Sequence, residues 1–151
     1  MGLIVERLLM SGIGYFNVSI DSLDEETFIE LRKNGNFDFY KNNIKILAEE
    51  ARRLDFRRLR VITVVVLQNL DQISYLIHKV HDLFPHVEHE LRRPFGPYTY
   101  IAPKEMNWAE RSFISDIEWK RLMDAVDAAG VPYSGSDKSD VHRTFFNERI
   151  M

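Results

Sequence analysis

The run LRVITVVVLQN, Leu59 to Asn69, constrains this chain more than any other stretch. Six consecutive residues, Val61 to Val66, are β-branched, and apolar side chains fall on both parities of the run. A pleated strand accommodates such residues well, and apolar side chains on both faces mark a central strand of a parallel sheet rather than a strand with one face in water. Parallel neighbours cannot be joined by a tight hairpin, so the rest of the chain has to supply crossover helices.

It does so in alternation. Leu3, Ile4, Leu8 and Leu9 follow helical spacing and stop at Ser11-Gly12, and Tyr15 to Asp21 reads as a strand. A short helix is predicted from about Asp24 to Lys33, and a longer one after Asn34-Gly35-Asn36, with Tyr40, Ile44, Leu47, Ala48, Ala51 and Leu54 on one stripe. Beyond the apolar strand, Leu70, Ile73, Leu76, Ile77, Val80 and Leu83 give the next helix its buried face, with Asp71 in its first turn and Pro85 as its stop. The segment from His86 to Tyr100 reads as a strand entering a Pro/Gly-rich loop. Ser115 and Glu118 then form a capping-box signature for a last helix carrying Trp119, Leu122, Met123, Val126 and Ala129, ended by Gly130. The order α-β-α-β-α-β-α is that of right-handed βαβ units in a parallel sheet. Residues 1–133 form one α/β domain on this reading, and 134–151, opening with SGSDKSD, form a linker and C-terminal tail.

The first strand carries an anomaly. Phe16, Val18 and Ile20 alternate with Asn17, Ser19 and Asp21, so one face of an otherwise buried-looking strand is polar. Two arrangements account for it. In a (β/α) barrel the polar side points into the lumen near the strand's C-terminal end, where such folds place ligands. In an edge strand the same side lies in water.

Composition removes several function classes. With 45% hydrophobic residues in 151, the chain can bury one core, while 20 Lys+Arg against 23 Asp+Glu offer no global attraction to nucleic acid or acidic membranes. No apolar run approaches the roughly 18–20 residues of a membrane helix, and Glu6 and Arg7 interrupt what would be a leader's apolar region. A cytoplasmic protein with neither a nucleic-acid nor a membrane partner is expected. There is no cysteine, which excludes disulfides, thiolate zinc sites and cysteine-ligated iron–sulfur clusters within the chain.

Taken in order, SIDSLDEETFIELR, NGNFDFYKNNIKIL, VITVVVLQNLDQI and LRRPFG resemble the second half of the radical S-adenosylmethionine superfamily core. The likeness runs from about Leu3 to Gly96 and rests on the succession of the pieces. It implies a partial parallel barrel, three strands alternating with helices. It also implies that Ser19 and Asp21 lie near the cofactor's ribose, that Arg32 pairs with the cofactor's carboxylate, and that Leu67 offers adenine an apolar or backbone contact. A guanidinium suits that task, since its planar fork can take a carboxylate in bidentate fashion. Of Arg92 and Arg93, one is implied as a lumen-facing substrate contact, and Arg93 is the choice. Ser22 stands where the family often has glycine. Asn69 reads as the cap of the helix that follows rather than as a ligand contact.

The family's chemistry needs a [4Fe–4S] cluster held on three cysteines, and this chain has none. The resemblance therefore implies a fragment or subunit that supplies part of the S-adenosylmethionine and substrate site. Its partner would be the missing cluster-bearing half or another copy of itself, and alone it would not be catalytically competent. The alternative is a non-catalytic binding or scaffold module on a barrel-derived fold. A flavodoxin-like domain is disfavoured, because DSLDEE stands where a glycine-rich phosphate loop belongs. His78, His81, His86 and His89, with Glu88 and Glu90, are spaced suggestively for metal, yet helix spacing and strand alternation scatter them. Arg52, Arg53, Arg57, Arg58 and Arg60 cluster at a helix C-terminus and read as a solvated rim.

Overall fold

The computed structural model describes residues 2–93, 114–130 and 133–136. Pro94-Phe95-Gly96, Tyr98 and Tyr100 lie outside the described residues. The element order is α1 (Gly2–Met10), β1 (Phe16–Ser19), α2 (Glu25–Leu31), α3 (Phe37–Arg53), β2 (Leu59–Val64), a 3-10 turn (Leu70–Gln72), α4 (Ile73–Leu83), β3 (Glu88–Arg92), α5 (Asp116–Ala129) and β4 (Ser134–Ser136). The strands form a sheet in the order β1-β2-β3-β4, and every neighbour pair is parallel. The fold is mixed α/β.

One expectation needs correction. Ser134 opens a fourth strand rather than a linker, its register running Glu90↔Ser134, Leu91↔Gly135 and Arg92↔Ser136. Ser-Gly-Ser has low strand propensity, so the edge of β3 supplies the conformation here through its free ladder.

Strand alternation divides the sheet into two unlike faces. In β2, Leu59, Val61 and Thr63 are buried while Arg60, Ile62 and Val64 are half-buried. In-register pairing places Phe16, Val18, Leu59, Val61, His89 and Leu91 on the first side, against the helices' apolar stripes. Those stripes are Ile44, Leu47, Ala48 and Ala51 of α3, Ile73, Leu76, Ile77 and Val80 of α4, and Trp119, Leu122 and Val126 of α5. Each buried aliphatic side chain contributes about 1.5–3 kcal/mol, so this layer dominates the fold's stability. The other side carries Asn17, Ser19, Arg60, Glu88, Glu90 and Arg92, joined by Arg60–Glu88 (3.1 Å) and Arg92–Glu90 (2.7 Å) ion pairs. The polar half of β1 thus belongs to a charged sheet face, and an apolar layer over it would have to take these ion pairs out of water.

Local chemistry sets the helix ends. Asp24 caps α2 through Thr27 N–H at 2.9 Å, and Asn36 caps α3 through Phe39 N–H at 2.8 Å. The predicted capping box at α5 is complete, with Glu118 N–H donating to Ser115 Oγ (3.2 Å) and Ser115 N–H to Glu118 Oε2 (2.8 Å). Gly130 follows with φ 67°, the left-handed conformation that ends helices. Between α2 and α3 the chain approaches itself closely. A Cβ on Gly35 would lie 2.7 Å from Phe28 Cε1 and 2.9 Å from the Arg32 carbonyl oxygen.

Candidate functional site

The C-terminal ends of parallel strands carry the ligand sites of α/β sheets, and here the polar residues of β1 converge at that end. Asp21 follows the strand. Its Oδ1 accepts the Val64 N–H at 3.0 Å, so a side chain takes a rung of the ladder where β1 and β2 begin to part. Its Oδ2 receives Arg32 Nη2 at 2.6 Å, and the Ser19 hydroxyl donates to both carboxylate oxygens at 3.2 and 3.3 Å. Arg32 Nη2 also reaches Ser19 Oγ at 3.3 Å. Ser19, Asp21 and Arg32, chosen from the sequence, therefore form one hydrogen-bonded cluster.

Arg32 reaches the cluster from the C-cap of α2. Its side chain is 49% exposed against 14% for Asp21, and all its hydrogen bonds among the described residues come from Nη2. Its Nε and Nη1 make no hydrogen bond among the described residues, so the half-exposed guanidinium keeps donors for an anion while Nη2 stays on Asp21. A cavity of about 280 Å³ opens beside it, lined by Asp21, Leu31, Arg32, Val64 and Val66. It sets the Arg32–Asp21 ion pair beside the apolar walls of Leu31, Val64 and Val66, a composition suited to an organic ligand with a polar end. A second cavity, of about 130 Å³, lies at the opposite end of the strands, its mostly apolar walls (Ala51, Phe56, Leu59, Phe84, Val87) joined by Arg52, Asp55 and His86.

The loop between β1 and α2 is held without glycine. Ser22 is buried and stays out of the left-handed region, which among the described non-glycine residues holds only Asn34 and Asp55. Its hydroxyl accepts Asp24 N–H at 3.0 Å, and its carbonyl accepts the Tyr40 hydroxyl at 3.0 Å. Burial, reinforced by the negative charge of Asp21, pushes the Tyr40 phenol well above its ordinary range, so it stays a donor. Gln72 Nε2 donates to Thr27 Oγ1 at 2.7 Å, which pins α2 to the turn before α4. Hydrogen bonds from the Thr27 backbone and then its side chain lower the Asp24 pKa.

The remaining sequence candidates sit elsewhere. Leu67 is 40% exposed in the turn after β2 and does not line the cavity. Arg93 turns to the helix side, donating from Nη2 (2.6 Å) and Nε (3.2 Å) to the Ile114 carbonyl and pairing with Asp116. Strand parity places Arg92, not Arg93, on the charged face with Ser19 and Arg60. Asn69 makes no side-chain cap to the turn that follows it. Instead its Oδ1 accepts Val66 N–H at 2.8 Å while Nδ2 donates to the carbonyls of Asp21 (2.9 Å) and Val64 (3.0 Å). A polar residue at the exit of an apolar strand was the available signal, but an Asn before a helix reads first as a cap.

The arginines of the rim are engaged locally: Arg53 with Glu6 and Glu50, Arg57 with Asp55, and Arg52 with the Leu83 carbonyl at the end of α4. Among the described residues no helix is long and apolar enough to cross a membrane. Comparison with protein-family models and with curated protein sequences finds no match.

Proposed function

We propose that this chain supplies part of the S-adenosylmethionine and substrate site of a radical S-adenosylmethionine enzyme, its sheet being the second half of a partial parallel barrel. The observation that carries the reading is the Ser19–Asp21–Arg32 cluster at the mouth of a 280 Å³ cavity. The Arg32 donors not used by Asp21 fit the methionyl carboxylate, Leu31, Val64 and Val66 fit the apolar part of the nucleoside, and Ser19, beside the cavity rather than lining it, offers its hydroxyl oxygen to the ribose. Asp21 already accepts from Val64, Arg32 and Ser19, so it acts chiefly as the anchor that orients Arg32. In the resembled family the bound sulfonium supplies radical chemistry once a [4Fe–4S] cluster reduces it. With no cysteine the donor set for that cluster does not fit this chain, and no step of the reaction is assigned to it. The cluster belongs to a separate half.

Few ligand contacts remain in the chain alone, so its affinity for S-adenosylmethionine is expected in the millimolar range, about −4 kcal/mol. Titration of isotope-labelled protein, followed by NMR, tests this. Shifts concentrated at Ser19, Asp21 and the Arg32 side chain support the reading; saturation with none of these moving overturns it. A second reading, a non-catalytic module that recognises a partner through the sheet, is favoured by the open edge of β1, which pairs only with β2 among the described residues. Self-association without any ligand response is its signature.

A further inference from the structure

We propose that Asn69 is the positioning residue of the Arg32–Asp21 site: from the turn after β2 it fixes the Asp21 backbone, and through it the carboxylate that orients Arg32. The proposal rests on the reading of this cluster as the ligand site.

The sheet creates the need. β1 pairs with β2 from Phe16↔Leu59 to Ser19↔Ile62, and Ile20 N–H still donates to the Ile62 carbonyl at 3.1 Å. Past that point the strands separate, because the chain after β1 must leave toward α2 while Val65 N–H turns to the Arg92 carbonyl at 2.8 Å. The parting leaves the Val64 carbonyl and N–H without ladder partners, and the Asp21 carbonyl, past the end of β1, has none in the sheet either. Asp21 Oδ1 takes the Val64 N–H, and Asn69 Nδ2 takes both carbonyls. Only an amide has the two donors and one acceptor in one plane that this junction uses.

The turn itself does not require this much. The bond from Val66 N–H to Asn69 Oδ1 closes it locally, and a carboxylate or hydroxyl could accept there equally well. The two donated bonds instead span strands, one of them reaching 48 residues back to Asp21. Asn69 is 1% exposed, so nothing in solvent replaces these bonds when they are lost. Asp21 is then free to rotate about its backbone, its Oδ1 leaves Val64, and the 2.6 Å contact to Arg32 loses its fixed end. Asn69 touches no ligand on this account.

Thr63 provides an internal control. Its hydroxyl donates to the Ile20 carbonyl at 2.6 Å, one residue before Asp21, so it makes a comparable buried side-chain bond to the same strand without touching the Asp21 junction. Asn69→Ala and Thr63→Val are compared with the native chain. Both are expected to lower the denaturation midpoint. Only Asn69→Ala should move the Arg32 Nη2–H signal, which reports the bond to Asp21, to its solvent-exposed position, shift the Asp21 carboxyl carbon, and weaken S-adenosylmethionine binding about tenfold, the scale of losing a supporting partner. An unmoved Arg32 signal in Asn69→Ala, or an equal movement in Thr63→Val, overturns the proposal. Should Asn69→Ala fail to fold, the native chain decides: slow exchange of both Asn69 Nδ2 protons supports the two donated bonds, and rapid exchange overturns them. A native chain whose Arg32 does not respond to S-adenosylmethionine overturns the ligand reading instead, and the ligand-free signals still decide the role of Asn69.

Discussion

His89 Nε2 lies 2.9 Å from Thr63 Oγ1, and that hydroxyl spends its single proton on the Ile20 carbonyl at 2.6 Å. The hydroxyl oxygen must therefore accept, which fixes the proton of a neutral His89 on Nε2. Its Nδ1 is buried with no hydrogen-bond partner among the described residues, and the His81 ring of α4 stands with its centroid 6.2 Å away. Charging the ring would place a proton on Nδ1 where no acceptor waits.

Burial, with a smaller push from His81, lowers the His89 pKa from 6.5 to about 4. Between these values the unfolded chain binds a proton that the folded chain refuses, so stability falls as pH drops through the window and the contribution is present in full above 6.5. The total is on the order of 3 kcal/mol. Urea denaturation from pH 7 to 4 should show this slope, reduced in His89→Gln, which cannot titrate. A slope identical in the variant would assign the acid sensitivity to groups other than His89.

Arg32 and Asp21 share one ion pair but are expected to respond differently to deletion. Arg32 is half exposed, so Arg32→Ala should cost below about 1 kcal/mol of stability. Asp21→Ala leaves the Val64 N–H without its acceptor and should cost about 1–3 kcal/mol. In an assembly containing the cluster-bearing half, Arg32→Ala should weaken cofactor affinity by about 1.5–3 kcal/mol, the scale of a hydrogen bond to a charged group. Unchanged affinity there would make Arg32 a surface residue.

Gly35→Ala tests the link between the helix junction and the site. The added methyl would overlap Phe28, whose ring stacks on Tyr40 at 4.5 Å, and the Arg32 carbonyl that receives Gly35 N–H at 2.7 Å. Overpacking of this kind typically costs about 1–3 kcal/mol. Because the displaced backbone belongs to Arg32 itself, the Arg32 side-chain signals should move along with the melting temperature. A variant as stable as the native chain would show that the junction has slack.

Arg93→Ala is expected to act on stability. Removing it takes two donated hydrogen bonds from the Ile114 carbonyl, just before the Ser115 cap of α5. The loss should be about 1.5–3 kcal/mol, the value of hydrogen bonds from a charged donor, with hydrogen exchange speeding up in α5 before β1. Loss of ligand response at full stability would instead support the substrate contact that the resemblance implies.

Much of this arrangement was legible in the chain. The β-branched run placed β2, the apolar stripes placed α3, α4 and α5, and the polar parity of β1 led to Ser19 and Asp21 because alternation is a local property. What escaped depends on partners distant in sequence. Asn69 serves carbonyls left open only once β1 and β2 part, and His89 reads in the sequence only as part of a suggestive histidine spacing until Thr63 and α4 enclose it. The choice between Arg92 and Arg93 hinges on a strand register that a one-residue slip inverts. β4 escaped because Ser-Gly-Ser carries no strand signal of its own.

The last prediction concerns association. β1 ends the sheet among the described residues, and Phe16 and Ile20 spend their N–H groups on Arg58 and Ile62 carbonyls of the β2 side. By alternation the N–H groups of Asn17 and Ser19 face the other way, toward no described strand. Helix α1, which packs on α3, buries Leu9 but leaves Leu3, Ile4 and Met10 about 70% exposed, so the apolar stripe that predicted the helix points largely outward. An unpaired ladder and a set of exposed apolar side chains each invite another chain. The isolated protein is therefore expected to dimerise through this edge, exchange elements or aggregate at micromolar concentration. Ile4→Lys should reduce that tendency without loss of stability, since the side chain is already in water, and Asn17→Pro should reduce it by deleting an outward donor while sparing the β1–β2 ladder. Light scattering of the native chain and both variants decides the matter. A monodisperse native monomer would mean that the edge is closed from within the chain, and association unaltered in both variants would place the contact on another surface.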